Sequence, residues 1–103
     1  MKLKGKVAIV TGGARGIGRA VALALGTEGA HVVVNYVNQA AAAGEVAGLI
    51  RSFGQQAIPF KADVRYLDQV KAMVDQAKQA LGRVDILVTV SYTHLTLPTN
   101  REV

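Results

Sequence analysis

The sequence has no cysteine and no tryptophan, two prolines, two phenylalanines and three tyrosines. Each shortage excludes something. Without cysteine there is no disulfide framework, no thiolate metal site and no cysteine nucleophile. The same lack suits a reducing cytosol. No apolar run approaches the roughly 18 residues that a membrane helix needs. The lysine-bearing start, Met1 to Lys6, leads into a short apolar segment, but no small-residue cleavage site set off by a polar break follows. A cytoplasmic location is the expectation. Charged residues are also few, at 18%, while half the chain is hydrophobic, which is too apolar for a disordered segment. A length of 103 residues allows one domain or a piece of one.

Acidic residues are outnumbered, 7 against 12 basic, for a net charge of +5. The excess is local. Residues 1–36 carry Lys2, Lys4, Lys6, Arg15 and Arg19 against Glu28 alone. Residues 37–89 are nearly balanced, and Arg101 and Glu102 cancel in the last stretch. A nucleic-acid binder shows a longer basic stripe, often with interleaved aromatics. The few aromatics here are scattered, so a small anionic ligand fits better than a polyanion, and neither nucleic acid nor membrane is an expected partner. Lys2, Lys4 and Lys6 read as a solvated end, and His31 reads as structural.

What is present is a strict alternation. Residues 6–11 form a β-branched run typical of a buried strand. Ile17, Val21 and Leu25, with Ala20 and Ala24 beside them, then follow at helical spacing, and Gly29 ends that helix. His31 to Tyr36 is a second strand. Asn38 is positioned to cap a second helix, whose stripe is Val46, Leu49, Ile50 and Phe53, and Gly54 closes it. Ala57 to Lys61 is a third strand, and Pro59 within it points to an edge. A third helix carries Val70, Met73, Val74, Ala77 and Leu81 and stops at Gly82; Asp85 to Val88 is a fourth strand. The order β-α-β-α-β-α-β predicts an α/β fold. Its sheet is parallel, with four strands in the order 3-2-1-4 and three crossover helices, as in part of a doubly wound Rossmann domain.

The chemistry concentrates in Thr11-Gly12-Gly13-Ala14-Arg15-Gly16-Ile17-Gly18, which follows a strand and opens a helix. That is the setting a dinucleotide loop requires. Gly12 permits the turn off the strand, Gly16 lets backbone approach a pyrophosphate, and Gly18 lets the helix pack closely. The N–H groups at the helix start then face the phosphates. No Gly-Lys-Ser/Thr follows, so this is not a P-loop.

The spacing T-G-x-x-x-G-x-G resembles the short-chain dehydrogenase/reductase family. Asp63-Val64 after the third strand, Val84 to Val88, and the run Val32 to Tyr36 are similar to that family as well, the last to its 3-oxoacyl-[acyl-carrier-protein] reductases. The resemblance covers residues 4 to about 88. It implies a nicotinamide dinucleotide held by Thr11, Gly12, Gly13, Arg15, Gly16, Ile17 and Gly18, by Asn35 and Tyr36, and by Asp63 and Val64. From the residues alone, Asp63 serves equally as an acid leading into a helix.

An NAD enzyme places an Asp or Glu about 20 residues beyond the loop, on the ribose 2′-hydroxyl. Here Asn35-Tyr36 occupies that place, and no carboxylate lies between Glu28 and Glu45. A neutral strand end does not repel a 2′-phosphate, and Arg15 can pair with one. NADP(H) is therefore expected over NAD(H).

The family's chemistry uses a tyrosine, a lysine four residues later and a serine. An unperturbed tyrosine with pKa ~10 is a poor base at neutral pH, so a nearby cation must shift it. Tyr92 does not qualify, because Thr96 stands where the lysine belongs; Ser91 and His94 lack a positioned acid. No catalytic residue is assigned within the chain. After Val88 the character changes. No alanine lies beyond Ala80 and no glycine beyond Gly82, and four of the six threonines fall at Thr89, Thr93, Thr96 and Thr99. Residues 1–88 therefore read as the N-terminal half of a dinucleotide-binding domain. Residues 89–103 read as an irregular tail resembling translated adapter sequence. The resemblance implies a parent enzyme, an oligomer of like subunits, that moves a hydride to or from a carbonyl, with a 3-oxoacyl thioester as the first substrate expectation. The chain alone is expected to be inactive and poorly stable. A non-enzymatic nucleotide-binding or regulatory module on the same half-fold is the alternative.

Overall fold

The computed structural model describes residues 2–14 and 16–89. Within them the chain runs β1 (Val7–Val10), α1 (Gly16–Thr27), β2 (His31–Tyr36), α2 (Ala40–Ser52), β3 (Ala57–Lys61), α3 (Leu67–Leu81) and β4 (Ile86–Val88). Arg15 and the stretch 90–103 lie outside the described residues, and with them the Arg15 expectation and nearly all of the proposed tail.

The four strands form one parallel sheet in the order β3-β2-β1-β4. All four residues of β1 are buried, as are four of the six in β2, which is why both read as continuous apolar runs. Alternate residues divide between two cores. Val10, Val32 and Val34 pack with Ala22, Ala43 and Ile50 beneath α1 and α2, while Ile9 and Val33 pack with Met73 and Ala77 of α3 on the other face. The edge that Pro59 implies is found: among the described residues β3 pairs only with β2, Pro59 standing opposite Val34.

Helix ends follow the glycines. At the end of α1 the Ala30 N–H returns to the Leu25 carbonyl and the Gly29 N–H to that of Gly26, the paired bonds of a Schellman turn. At the end of α3 the Gly82 N–H reaches the Lys78 carbonyl at 2.8 Å. The N-cap expected at Asn38 is not formed. The first bond of α2 comes from Ala43 to the Gln39 carbonyl, so Gln39 holds the cap position, without a side-chain capping bond.

Two helical stripes hold only in part: Val21 and Leu25 of α1 and Val46 and Ile50 of α2 pack on the core, but their neighbours in the expected stripes do not. In α1 the fully buried residues are Gly18, Ala22 and Gly26, while Ile17 is 73% exposed and Ala20 and Ala24 face outward. In α2 the buried set is Ala43, Val46, Ala47 and Ile50, and Leu49 and Phe53 are exposed. The cause is close approach. A Cβ added at Gly26 would lie 2.9 Å from Ile50 Cγ2, so small residues mark where α1 meets α2.

His31 is structural, as its setting suggested. Its Nδ1 accepts the Gln56 N–H at 2.9 Å, joining the start of β2 to the segment before β3.

Candidate functional site

A parallel sheet directs the C-terminal ends of its strands to one edge. Here that edge gathers the turn after β1, Tyr36 at the end of β2, Ala62 to Val64 after β3, and Val88 of β4. β1 sits between β2 and β4, so the chain leaves it toward β2 on one side and returns to pair with it through β4 on the other. Such a switch point leaves a crevice outside the strand ends, where doubly wound folds bind ligands.

The loop opens on Thr11, buried between β1 and β4. Its N–H donates to the Val88 carbonyl at 2.9 Å, and its hydroxyl donates to the same oxygen at 3.3 Å. Gly12 then turns the chain with φ +62°. Gly18 is needed because the first turn of α1 lies on the loop's own backbone. A Cβ there would overlap the Gly12 carbonyl oxygen and sit 2.7 Å from its carbon. The close contact expected between helix and strand is thus made with the loop instead.

Gly12 and Gly13 do not offer their N–H groups to the crevice. The Gly12 N–H donates to Asn35 Oδ1 at 3.1 Å, and the Gly13 N–H donates to the Asn35 carbonyl at 2.9 Å. Gly16 differs: it is exposed, and a Cβ added to it would meet no protein atom within 4 Å. With Ile17 and Gly18 it forms the first turn of α1, whose N–H groups have no acceptor within the helix. Gly16 to Gly18 thus open the helix, and the bonds of Gly12 and Gly13 to Asn35 shape the loop that leads to them.

Asn35 and Tyr36 separate. Asn35 is fully buried and bonded to the loop, whereas Tyr36 is half-buried at the strand end, opposite Lys61 of β3. Of the pair, Tyr36 alone keeps exposed surface at this end of the sheet. The sequence pattern gave no hint of this, because a buried amide bonded to two distant backbones leaves no periodic mark.

Asp63 leads into α3, as an acid near a helix start. Its Oδ1 accepts the Arg65 N–H at 3.0 Å, and its carboxylate takes a two-pronged hydrogen bond from the Arg65 guanidinium, Nε to Oδ1 at 3.0 Å and Nη2 to Oδ2 at 2.7 Å. These bonds hold its pKa down at about 2. Oδ1 already takes two donors, the Arg65 N–H and Nε, so a further donor falls to Oδ2, where it replaces the longer Nε contact at 3.2 Å. Val64 beside it is half-buried against the α3 core.

Below the crevice, Asp85 joins β4 to β1. Its Oδ2 accepts the Val7 N–H at 2.9 Å and its Oδ1 takes Arg83 NH2 at 2.8 Å, which lowers the Asp85 pKa. Arg19 pairs with Glu45 at 3.5 Å on the surface, a contact of small energetic value. Among the described residues no group of three or more His, Asp or Glu is arranged to hold a metal, and no helix is long and apolar enough to cross a membrane.

Comparison with known proteins agrees with this geometry. The short chain dehydrogenase family profile matches residues 6–94. Versicolorin reductase 1 of Dothistroma septosporum is 49% identical over 98 residues, covering 91% of this chain and 37% of that protein. A dehydrogenase/reductase from Sinorhizobium meliloti superposes with TM-score 0.83 at 43% identity, over 86% of this chain and 35% of the other. A Burkholderia cenocepacia protein described as a dehydrogenase, solved with bound NADP, gives 0.80 at 35% identity over 85% and 34%. The chain spans about two fifths of the length of the curated relatives it matches.

Proposed function

The chain belongs to the short chain dehydrogenase family, and from that membership we propose that residues 1–88 are the NADP(H)-binding part of a carbonyl reductase or secondary-alcohol dehydrogenase. The observation that carries this reading is the glycine loop at the switch between β1 and β4, opening directly into the N-terminus of α1. Gly16, Ile17 and Gly18 hold the pyrophosphate through backbone N–H groups, which a helix N-terminus favours electrostatically. Asp63 accepts from the adenine amino group at Oδ2, in place of the longer Arg65 Nε contact, and Val64 packs beside the ring. The bound nicotinamide supplies or takes up the hydride; the protein supplies its orientation.

The choice of NADP(H) over NAD(H) rests on charge. The strand end beside the ribose carries Tyr36, Val37 and Asn38, all neutral, and the loop carries Arg15. The NADP-bound structural neighbour supports the same choice. Replacing Arg15 by alanine should weaken NADPH binding by about tenfold or more and leave NADH nearly unchanged, as expected for loss of a charge-assisted pair. Calorimetric titration with both nucleotides checks this; an equal loss for both would remove Arg15 from the 2′-phosphate.

The substrate proposal is a carbonyl compound, a 3-oxoacyl thioester first among them. None of the three tyrosines here is followed four residues later by lysine. The reading therefore places proton transfer outside these 103 residues and takes residues 89–103 as foreign sequence. Sequencing the gene through codon 89 tests both points. A continuation encoding a serine and Y-x-x-x-K supports the reductase, and its absence from a complete gene favours a binding module.

A further inference from the structure

At the end of β2 stands a side chain whose bonding the nucleotide does not require. Asn35 is fully buried, and a buried carboxamide must pair both of its ends. It does so outside its own strand. Its Oδ1 accepts the Gly12 N–H at 3.1 Å, while its Nδ2 donates to the Ala62 carbonyl at 2.9 Å and to the Phe60 carbonyl at 3.4 Å. The main chain repeats the pattern. The Asn35 carbonyl takes the Gly13 N–H at 2.9 Å, and the Tyr36 carbonyl takes the Ala62 N–H at 3.0 Å. A donor on one side and two acceptors on the other fix which end of the amide is nitrogen.

Few side chains meet that demand. An aspartate would set acceptors against the Ala62 and Phe60 carbonyls. A serine hydroxyl is a single atom and cannot span both segments. The amide thus ties the loop before α1 to the turn carrying Asp63 and Val64. Those are the two segments assigned above to the phosphate and adenine ends of the dinucleotide.

We infer that Asn35 is a positioning residue that presets the glycine loop and couples its order to that of the Ala62–Val64 turn, without touching the nucleotide. The inference takes its ligand from the dinucleotide reading, but the coupling is a property of the chain itself. NADPH and NADH share the pyrophosphate and the adenine, so the effect falls on both equally.

The test uses the full chain carrying Asn35→Ala or Asn35→Ser. Amide hydrogen exchange is measured first without nucleotide, followed by titration with NADPH and NADH. Gly12 and Ala62 should lose protection together by about tenfold, while Ile9 and Val33 keep theirs; both dissociation constants should rise by about tenfold with their ratio unchanged, the scale of one lost buried hydrogen bond. Loosening of Gly12 without Ala62, an equal loss at Ile9 and Val33, unchanged affinities, or a shifted NADPH-to-NADH ratio would each overturn the inference. Should neither variant fold, the wild-type chain decides. In increasing urea, Gly12 and Ala62 must open together before the core does, and separate opening overturns the coupling. If wild-type protein binds neither nucleotide while the exchange pattern holds, the dinucleotide reading fails and the coupling stands.

Discussion

A methyl group at position 18 has no room, because the Gly12 carbonyl already fills the place its Cβ would take. Gly18→Ala must therefore push the first turn of α1 off the loop. The expected cost is about 1–3 kcal/mol, the usual scale of overpacking. It is read as a lower urea midpoint, accompanied by loss of NADPH binding. Asp63 makes a second residue-scale prediction. Its carboxylate is held at about 2 by Arg65, below its ordinary value of 3.8. A group whose folded pKa is lowered stabilises the fold above its ordinary value. That contribution is lost as pH falls through the range from 3.8 toward 2. Carboxyl carbon shifts should show Asp63 still ionised at pH 3, and Arg65→Ala should bring its midpoint back toward the ordinary value. The glycines of this site were legible because a turn and a close contact demand glycine at fixed spacing. The place of Asp63, between β3 and α3, was legible too, while its bonds to Arg65 were not. Nor was the separation of Asn35 from Tyr36, since burial of one amide depends on what three other segments present to it.

Element order, strand identity and the helix ends at Gly29, Gly54 and Gly82 follow from periodicity and end signals alone. The faces of α1 and α2 follow only in part, Val21, Leu25, Val46 and Ile50 packing inward as their spacing implies. Large apolar residues suggested stripes through Ile17 and Leu49, yet both are exposed and alanines and glycines lie inward. A helix that approaches another closely buries its smallest side chains, and a pattern read by hydrophobicity alone favours the largest. The consequence is testable on α2. Ile50→Ala, in the core against Gly26, should cost about 2–5 kcal/mol. Leu49→Ala, one residue earlier and exposed, should change stability by about 0.5 kcal/mol or less. Urea midpoints for the two variants decide. Equal losses would restore the stripe through Leu49.

At the scale of the whole molecule, the sheet is asymmetric. β1 and β2 are enclosed, but β4 has three residues, pairs only with β1 among the described residues, and leaves Leu87 58% exposed. Tyr66 and Leu67 add exposed apolar surface at the start of α3. An open edge beside uncovered apolar side chains invites association. The chain expressed alone should bind a hydrophobic dye and grow in apparent mass with concentration, as followed by light scattering; a dye-silent chain that stays monomeric at every concentration would contradict this. Charge also resolves at this scale. Arg65, Arg83 and Arg19 are each paired with a carboxylate, and the larger share of the remaining positive excess lies on Lys2, Lys4, Lys6 and Arg15, opposed only by Glu28 within residues 1–36. The central claim is that this loop holds a dinucleotide, and NADPH in preference. Titrating the isotopically labelled chain with NADPH and with NADH tests it most directly. The account predicts saturable shifts at the Gly16, Ile17 and Gly18 amides and at Asp63, with NADPH the tighter ligand. Loop amides that stay fixed under both nucleotides, in a chain whose β1 and β2 signals remain those of a folded sheet, would contradict it.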